Sequence, residues 1–194
     1  MSKIKILTAA AIAALTIGSG VMAQEAVTVL GPTTFEQCGA MAAAAQRTGH
    51  VGTTDFQVCS DAISRGWATA GETANAYVDR GTLHLVLGEN DKAIKDFTLA
   101  IKADPALASA YNDRGVAYSA QRRPADAVRD FSQALALRIE NADQVVFNRA
   151  MAYEDQGDIK RAYLDYRKAA ELNPGWTLPA QQLARFNVKS SPAS

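Results

Sequence analysis

The stretch AYNDRGVAYS (residues 110–119) has the apolar spacing of a buried helix, yet a charged Asp-Arg pair and a glycine sit in its middle. A glycine inside a helix costs about 1 kcal/mol relative to alanine, and a buried arginine needs a partner. The same pattern stands at AYVDRGTLHL (residues 76–85), and again at VFNRAMAYE (residues 146–154) with alanine for glycine. Gly81 and Gly115 are 34 residues apart, as are Ala93 and Ala127, Phe97 and Phe131, and Ala100 and Ala134. A third copy follows 35 residues on, with Ala150, Ala162, Tyr166 and Ala169. A fixed period of this size means stacked copies of one supersecondary unit, none able to bury its apolar face alone. Each unit reads as two helices joined by a short break, at residues 87–90, 121–124 and 156–158. Pro124 suits the first turn of a helix, where its missing N–H is not needed. Asp104-Pro105 and Asn173-Pro174 end the first and third units, as a proline after a helix should.

This alternation of small and aromatic residues resembles the tetratricopeptide repeat (TPR) family. Tyr77, Gly81, His84, Ala93, Phe97, Ala100 and Pro105 follow the family pattern in the first unit, with His84 in place of an aromatic. Tyr111, Gly115, Tyr118, Ala127, Phe131 and Ala134 follow it in the second, where Ile139 replaces the proline. Val146, Ala150, Tyr153, Ala162, Tyr166, Ala169 and Pro174 complete the third. The resemblance implies an all-α, superhelical solenoid of antiparallel helix pairs, with units at 74–107, 108–142 and 143–176. Around them we expect an N-terminal helical hairpin at 33–73, a degenerate repeat or a cap, and a capping helix at 177–188 with a tail at 189–194.

The hairpin contains both cysteines. Cys38 and Cys59 lie about equally far from the turn between its helices, which predicts a disulfide pinning the two; a catalytic thiol pair, with its usual two-residue spacing, is the sharper alternative. The start of the chain predicts the compartment. Lys3 and Lys5 precede an uncharged apolar run (6–17), then Gly18, Ser19, Gly20 and Val21-Met22-Ala23. That is the pattern of a cleavable export signal at 1–23, cut after Ala23, with a flexible segment at 24–32 and a periplasmic or secreted mature protein that does not enter the membrane. An uncleaved anchor is the other reading.

Composition and motifs argue against an enzyme. The 20 basic and 20 acidic residues become a net charge of −2 once Lys3 and Lys5 are removed, with no basic block for nucleic acid. Only two histidines occur, His84 in an inter-helix packing position and His50 in a turn, and no phosphate-binding glycine loop or hydrolase motif is present. No catalytic residue, metal or cofactor is expected; Glu154, Asp155 and Asp158 read as a solvated turn. The arginines have a structural explanation. Arg80, Arg114 and Arg149 stand at one register of the first helices, and Asp96, Asp130 and Asp165 at the matching height of the second. An Arg–Asp pair in every unit is the expectation, with an anion-binding arginine row as the alternative.

By resemblance, the inner face of each first helix lines a concave groove for a protein or peptide. Here that stripe is Asn75, Val78, Thr82 and Leu85; Ser109, Asn112, Val116 and Ser119; and Gln144, Phe147, Met151 and Glu154. Phe147 and Met151 read as the anchors, unless the hairpin or the capping helix covers part of the stripe. Val78, Asn112 and Phe147 stand where some members carry bases that clamp a C-terminal carboxylate, so that clamp is not expected. The expected role is a non-enzymatic interaction module of the bacterial cell envelope. The alternatives are an assembly component acting through oligomerisation, or an accessory factor of an envelope enzyme system.

Overall fold

Two capping boxes set the first helical boundaries. Thr33 accepts from the Glu36 N–H while the Glu36 side chain accepts from the Thr33 N–H, starting α1 (Thr34–Thr48); Thr69 and Glu72 do the same for α3 (Ala70–Val86). Such a box satisfies two orphan N–H groups reciprocally. The computed structural model describes residues 33–64 and 68–186. The expected export signal, the segment 24–32, the tail and the last two positions of the capping helix lie outside them. Between and after these two helices run α2 (Asp55–Ser64), α4 (Asn90–Ala103), α5 (Ala108–Ala120), α6 (Pro124–Ala136), α7 (Ala142–Asp155), α8 (Ile159–Leu172) and α9 (Thr177–Leu183). No strand occurs among the described residues.

The first helix of the first repeat runs ahead of the repeat unit, beginning at Ala70, where Thr69 and Glu72 cap it. One expected boundary needs correction. The capping helix reaches only Leu183, after which the chain turns and brings Phe186 back against Tyr163 and Tyr166, with ring centroids 6.0 and 5.8 Å apart.

The break inside each repeat is one turn used three times. Gly88, Arg122 and Gly157 all adopt positive φ, at 72°, 57° and 77°. This left-handed conformation is open to glycine and strained for arginine.

Each repeat pairs its two helices, α3 with α4, α5 with α6 and α7 with α8, and each pair stacks on the next. The first helices also touch one another, α3 with α5 and α5 with α7, whereas the second helices make no comparable contact. The first helices therefore form the inner row of a curved array. In the core, Phe97 and Phe131 are fully buried beneath Gly81 and Gly115. A Cβ on Gly81 would stand 2.7 Å from Phe97 Cε1, and one on Gly115 2.8 Å from Phe131 Cε1, closer than carbon atoms pack. Here the glycine is required by close approach. Gly115→Ala is expected to destabilise the chain by about 1–3 kcal/mol, read as a lower urea midpoint.

The arginines do more than the sequence suggested. Arg80 donates from Nε and Nη2 to both oxygens of Asp96 at 2.8 and 2.7 Å, and from Nη1 to Ser60 Oγ at 3.1 Å. Arg114 grips Asp130 at 2.7 and 2.9 Å and Thr98 at 3.1 Å; Arg149 grips Asp165 at 2.7 and 3.0 Å and Ser132 at 3.1 Å. Bidentate pairs of this kind are the strong ones. The third donor reaches a hydroxyl on the second helix of the preceding hairpin, so each guanidinium joins three helices. The hydrogen bonds to Asp96 and Asp130 raise Arg80 and Arg114 above their ordinary range although burial opposes the charge.

The N-terminal hairpin is closed by the Cys38–Cys59 disulfide, both residues being fully buried. Its half-cystines pack with Ala42, Ala45 and Leu83 against α3. His84 fills the gap between hairpin and first repeat. Its ring lies 4.5 Å from that of Phe56, and Nδ1 is 2.6 Å from Glu89 Oε2.

Candidate functional site

The inner row is the surface on which the twelve stripe residues were expected, and the structure divides them. Asn75, Gln144 and Met151 are exposed, Met151 at 48%. Ser109, Asn112, Val116 and Ser119 of α5 are half-buried. Val78 and Leu85 pack against the cluster of Ala93, Phe97 and Ala117, and Thr82 is buried at 5% exposure.

The third repeat departs most from expectation. Phe147 is only 6% exposed, so it is not a free anchor. Its ring lies 4.8 Å from Trp176 and 5.3 Å from Tyr166, under the segment that leads into α9. Glu154 is also engaged, accepting from Tyr166 Oη at 2.9 Å and from Arg185 Nη2 at 2.8 Å. Burial, then the carboxylate of Glu154, raises the Tyr166 hydroxyl well above its ordinary value. The C-terminal cap thus takes two of the four stripe positions on α7.

What stays open lies between α5 and α7. Val116, Ser119, Asn148, Met151 and Asp155 surround a cavity of about 150 Å³ floored by Phe131 and Ala152. Its walls are mostly apolar, and Ser119, Asn148 and Asp155 supply polar groups. Mostly apolar walls with a few placed polar groups are the lining of a binding site, here on the scale of one side chain rather than a whole ligand. At the opposite end of α5, a wider hollow runs past Ser109, Asn112 and Asp113 to Arg138 and Glu140.

The sequence reading overlooked one register of the inner row. Asp79, Asp113 and Asn148 occupy the same place in their repeats, each just before the staple arginine. Neither aspartate is paired with that arginine. Asp113 accepts a hydrogen bond from Asn112 Nδ2 at 2.9 Å, and Asp79 accepts none among the described residues. Asn112 Oδ1 is buried without a partner. Burial, together with the charge of Asp113, raises Asp79 from 3.8 to about 6. Burial likewise raises Asp113 to about 6, opposed by the hydrogen bond from Asn112. The signal for these residues was present, since Asp-Arg recurs unchanged 34 residues apart.

Among the described residues, no group of three His, Cys, Asp or Glu side chains is placed to hold a metal ion, and no helix is long and apolar enough to cross a membrane. His50 is exposed in its turn. Asp158 caps α8 by accepting from the Arg161 N–H at 2.9 Å.

Family models for the tetratricopeptide repeat match residues 74–107 and 144–176. The chain is a tetratricopeptide repeat protein. It is 27% identical over 129 residues to the small glutamine-rich tetratricopeptide repeat-containing protein 2 of Saccharomyces cerevisiae, an alignment covering 66% of this chain and 34% of that one. The chain therefore spans about a third of the yeast relative's length. Among solved structures, a thermophilic TPR protein of Thermus thermophilus superposes with a TM-score of 0.65 at 19% identity, over 78% of this chain and 80% of its own. The second TPR domain of human RPAP3, in complex with the HSP70 peptide SGPTIEEVD, gives 0.53 at 27% identity, over 56% of this chain and 90% of its own. The TPR fold of helices α3 to α8 thus agrees with both sequence and structural relatives.

Proposed function

We propose that this TPR protein is a non-enzymatic interaction module that holds a peptide or protein segment along its inner row, with one apolar side chain in the cavity between α5 and α7. The observation that carries this reading is that cavity, left open beside the exposed Met151 while the cap covers Phe147 and Glu154. The human RPAP3 domain is bound to a peptide, which supports a peptide as the class of partner. The disulfide supports an oxidising compartment. With the basic, apolar start of the chain, it favours a secreted or periplasmic protein of the bacterial cell envelope.

Met151→Arg tests the groove by placing a charge over the cavity mouth. In-cell crosslinking followed by mass spectrometry is expected to recover a partner with the wild type and lose it with Met151→Arg, the far-ultraviolet circular dichroism being unchanged. Recovery of the same partner by both would overturn the proposal. A second reading, end-to-end association, is favoured by the exposed Leu164, Leu172 and Leu178 on α8 and α9. Solution scattering independent of concentration would exclude it.

A further inference from the structure

Six large apolar side chains are exposed among the described residues, and they are not scattered. Ile159, Leu164, Leu172 and Leu178 stand on α8 and α9, and Met151 rims the cavity between α5 and α7. Resting on the groove reading, we infer that the segment held there is α8 of a second copy of this chain, with its Leu164 in the cavity. A filled groove and association through the last helices are then one and the same contact.

Both halves of that contact are present in the chain. Leu164 is 43% exposed, and its neighbours on the helix surface, three and four positions away, are Lys160, Arg161, Arg167 and Lys168, all exposed. The buried residues of α8 are Ala162, Tyr166 and Ala169. Two of them stand two positions from Leu164, about 200° around the helix, and the core of the last repeat holds Tyr166 but not Leu164. Leu164 therefore projects from a basic face, away from its own repeat. The cavity is its counterpart, with mostly apolar walls, room for one side chain, and the exposed Asp155 on its rim.

The charges of the two helices match as well. Outside the Arg149–Asp165 pair, α7 carries Asp143, Glu154 and Asp155 and no base, a charge of −3. α8 carries Lys160, Arg161, Arg167 and Lys168 against Glu171, a charge of +3. Arg167 and Lys168 share Glu171, Asp158 holds Arg161, and Arg185 holds Glu154. Lys160 on one face and Asp155 on the other are left without an ion pair among the described residues. Two α8 faces brought together would oppose base to base, and two grooves carboxylate to carboxylate, so complementarity favours the unlike pairing. A helix laid in a groove and anchored by an apolar side chain is a recurring mode of recognition. Because the two surfaces differ, a pair of copies still presents one of each, and the contact extends to further copies. An anionic lipid surface would also suit the bases of α8, but it would leave the cavity unfilled.

The test uses the protein purified from cells and two surface variants. Leu164→Glu removes the side chain that enters the cavity, and Met151→Arg blocks the cavity itself. In sedimentation equilibrium, the wild-type mass is expected to rise past that of a dimer with concentration and to fall on adding salt, which screens exposed charges. Each variant alone is expected to lose association entirely and sediment as a monomer, with unchanged far-ultraviolet circular dichroism. Mixed in equal amounts, the two variants are expected to form dimers and nothing larger, because one keeps its cavity and the other keeps Leu164. A wild type that stays monomeric at every concentration would overturn the inference, as would a mixture of variants that stays monomeric while the wild type associates. Association lost with Leu164→Glu but kept with Met151→Arg would place α8 on another surface and overturn it too. A monomeric wild type that sediments with anionic lipid vesicles, and ceases to with Leu164→Glu alone, would assign the α8 face to a membrane surface instead. In each of these cases the groove reading still stands if in-cell crosslinking recovers a different protein that Met151→Arg loses, and it falls if Met151→Arg changes nothing.

Discussion

Arg114→Ala is expected to cost about 3 kcal/mol of stability, seen as a fall in the urea midpoint at unchanged slope. The side chains of Arg114 and Asp130 are only 17% and 9% exposed, and both carboxylate oxygens are bound by the guanidinium. Removing one partner of a buried pair leaves an uncompensated charge, which costs about 3–5 kcal/mol when burial is complete; the residual exposure here places the value at the low end. The guanidinium also lies 5.7 and 5.9 Å from the ring centroids of Tyr111 and Tyr118, and that contact goes with it. Asp130→Ala should cost a similar amount. The double variant should cost less than the two together, by about 1–2 kcal/mol, because the second removal takes away a charge already without a partner. Equal and additive losses would mean that the two groups act independently.

Replacing both Cys38 and Cys59 by serine should lower stability by about 3 kcal/mol, the chain-entropy value for a loop the length of theirs. The loss should be uneven along the chain. α2 has only 10 residues and α1 is rich in alanine, so without the crosslink they depend on a small cluster against Leu83. Hydrogen exchange should show α1 and α2 opening first, with protection in α5 to α8 retained. Reductant should reproduce the effect on the wild type and do nothing to the double variant. A uniform loss across all helices would show that the hairpin and the repeats unfold as one unit.

Much of this fold was legible in the sequence because a TPR core repeats. Gly81, Phe97, Gly115 and Phe131 recur at one interval, and each glycine meets its phenylalanine in the structure. The Arg–Asp pairs were legible for the same reason. Their hydroxyl partners Ser60, Thr98 and Ser132 were not, because they belong to the preceding hairpin and the contact depends on how two hairpins stack. The groove was harder to read. Phe147 looked like an anchor by spacing, but spacing along α7 does not reveal that Trp176 folds back over it. Asp79 and Asp113 were hidden differently. Each stands beside an arginine in sequence, which invites reading the two as a pair, yet neighbouring residues on a helix point about 100° apart. The arginine turns to the second helix, whereas the Asp79 carboxylate lies against Gly39 of α1 and that of Asp113 against the Asn112 amide.

The two ends of the described array are closed by different means, and this bears on how it melts. Linear repeat arrays hold together through nearest-neighbour contacts, and their terminal units have one neighbour too few. Here the first hairpin carries a covalent crosslink and a hydrogen bond from Arg80 to Ser60. The last repeat is roofed by Trp176 and Phe186, with Arg185 tied to Glu154. Fraying from either end must first break one of these closures. The middle repeat, whose α5 carries one wall of the cavity facing α7, is thereby held in register from both sides, and that surface is set in place by its neighbours.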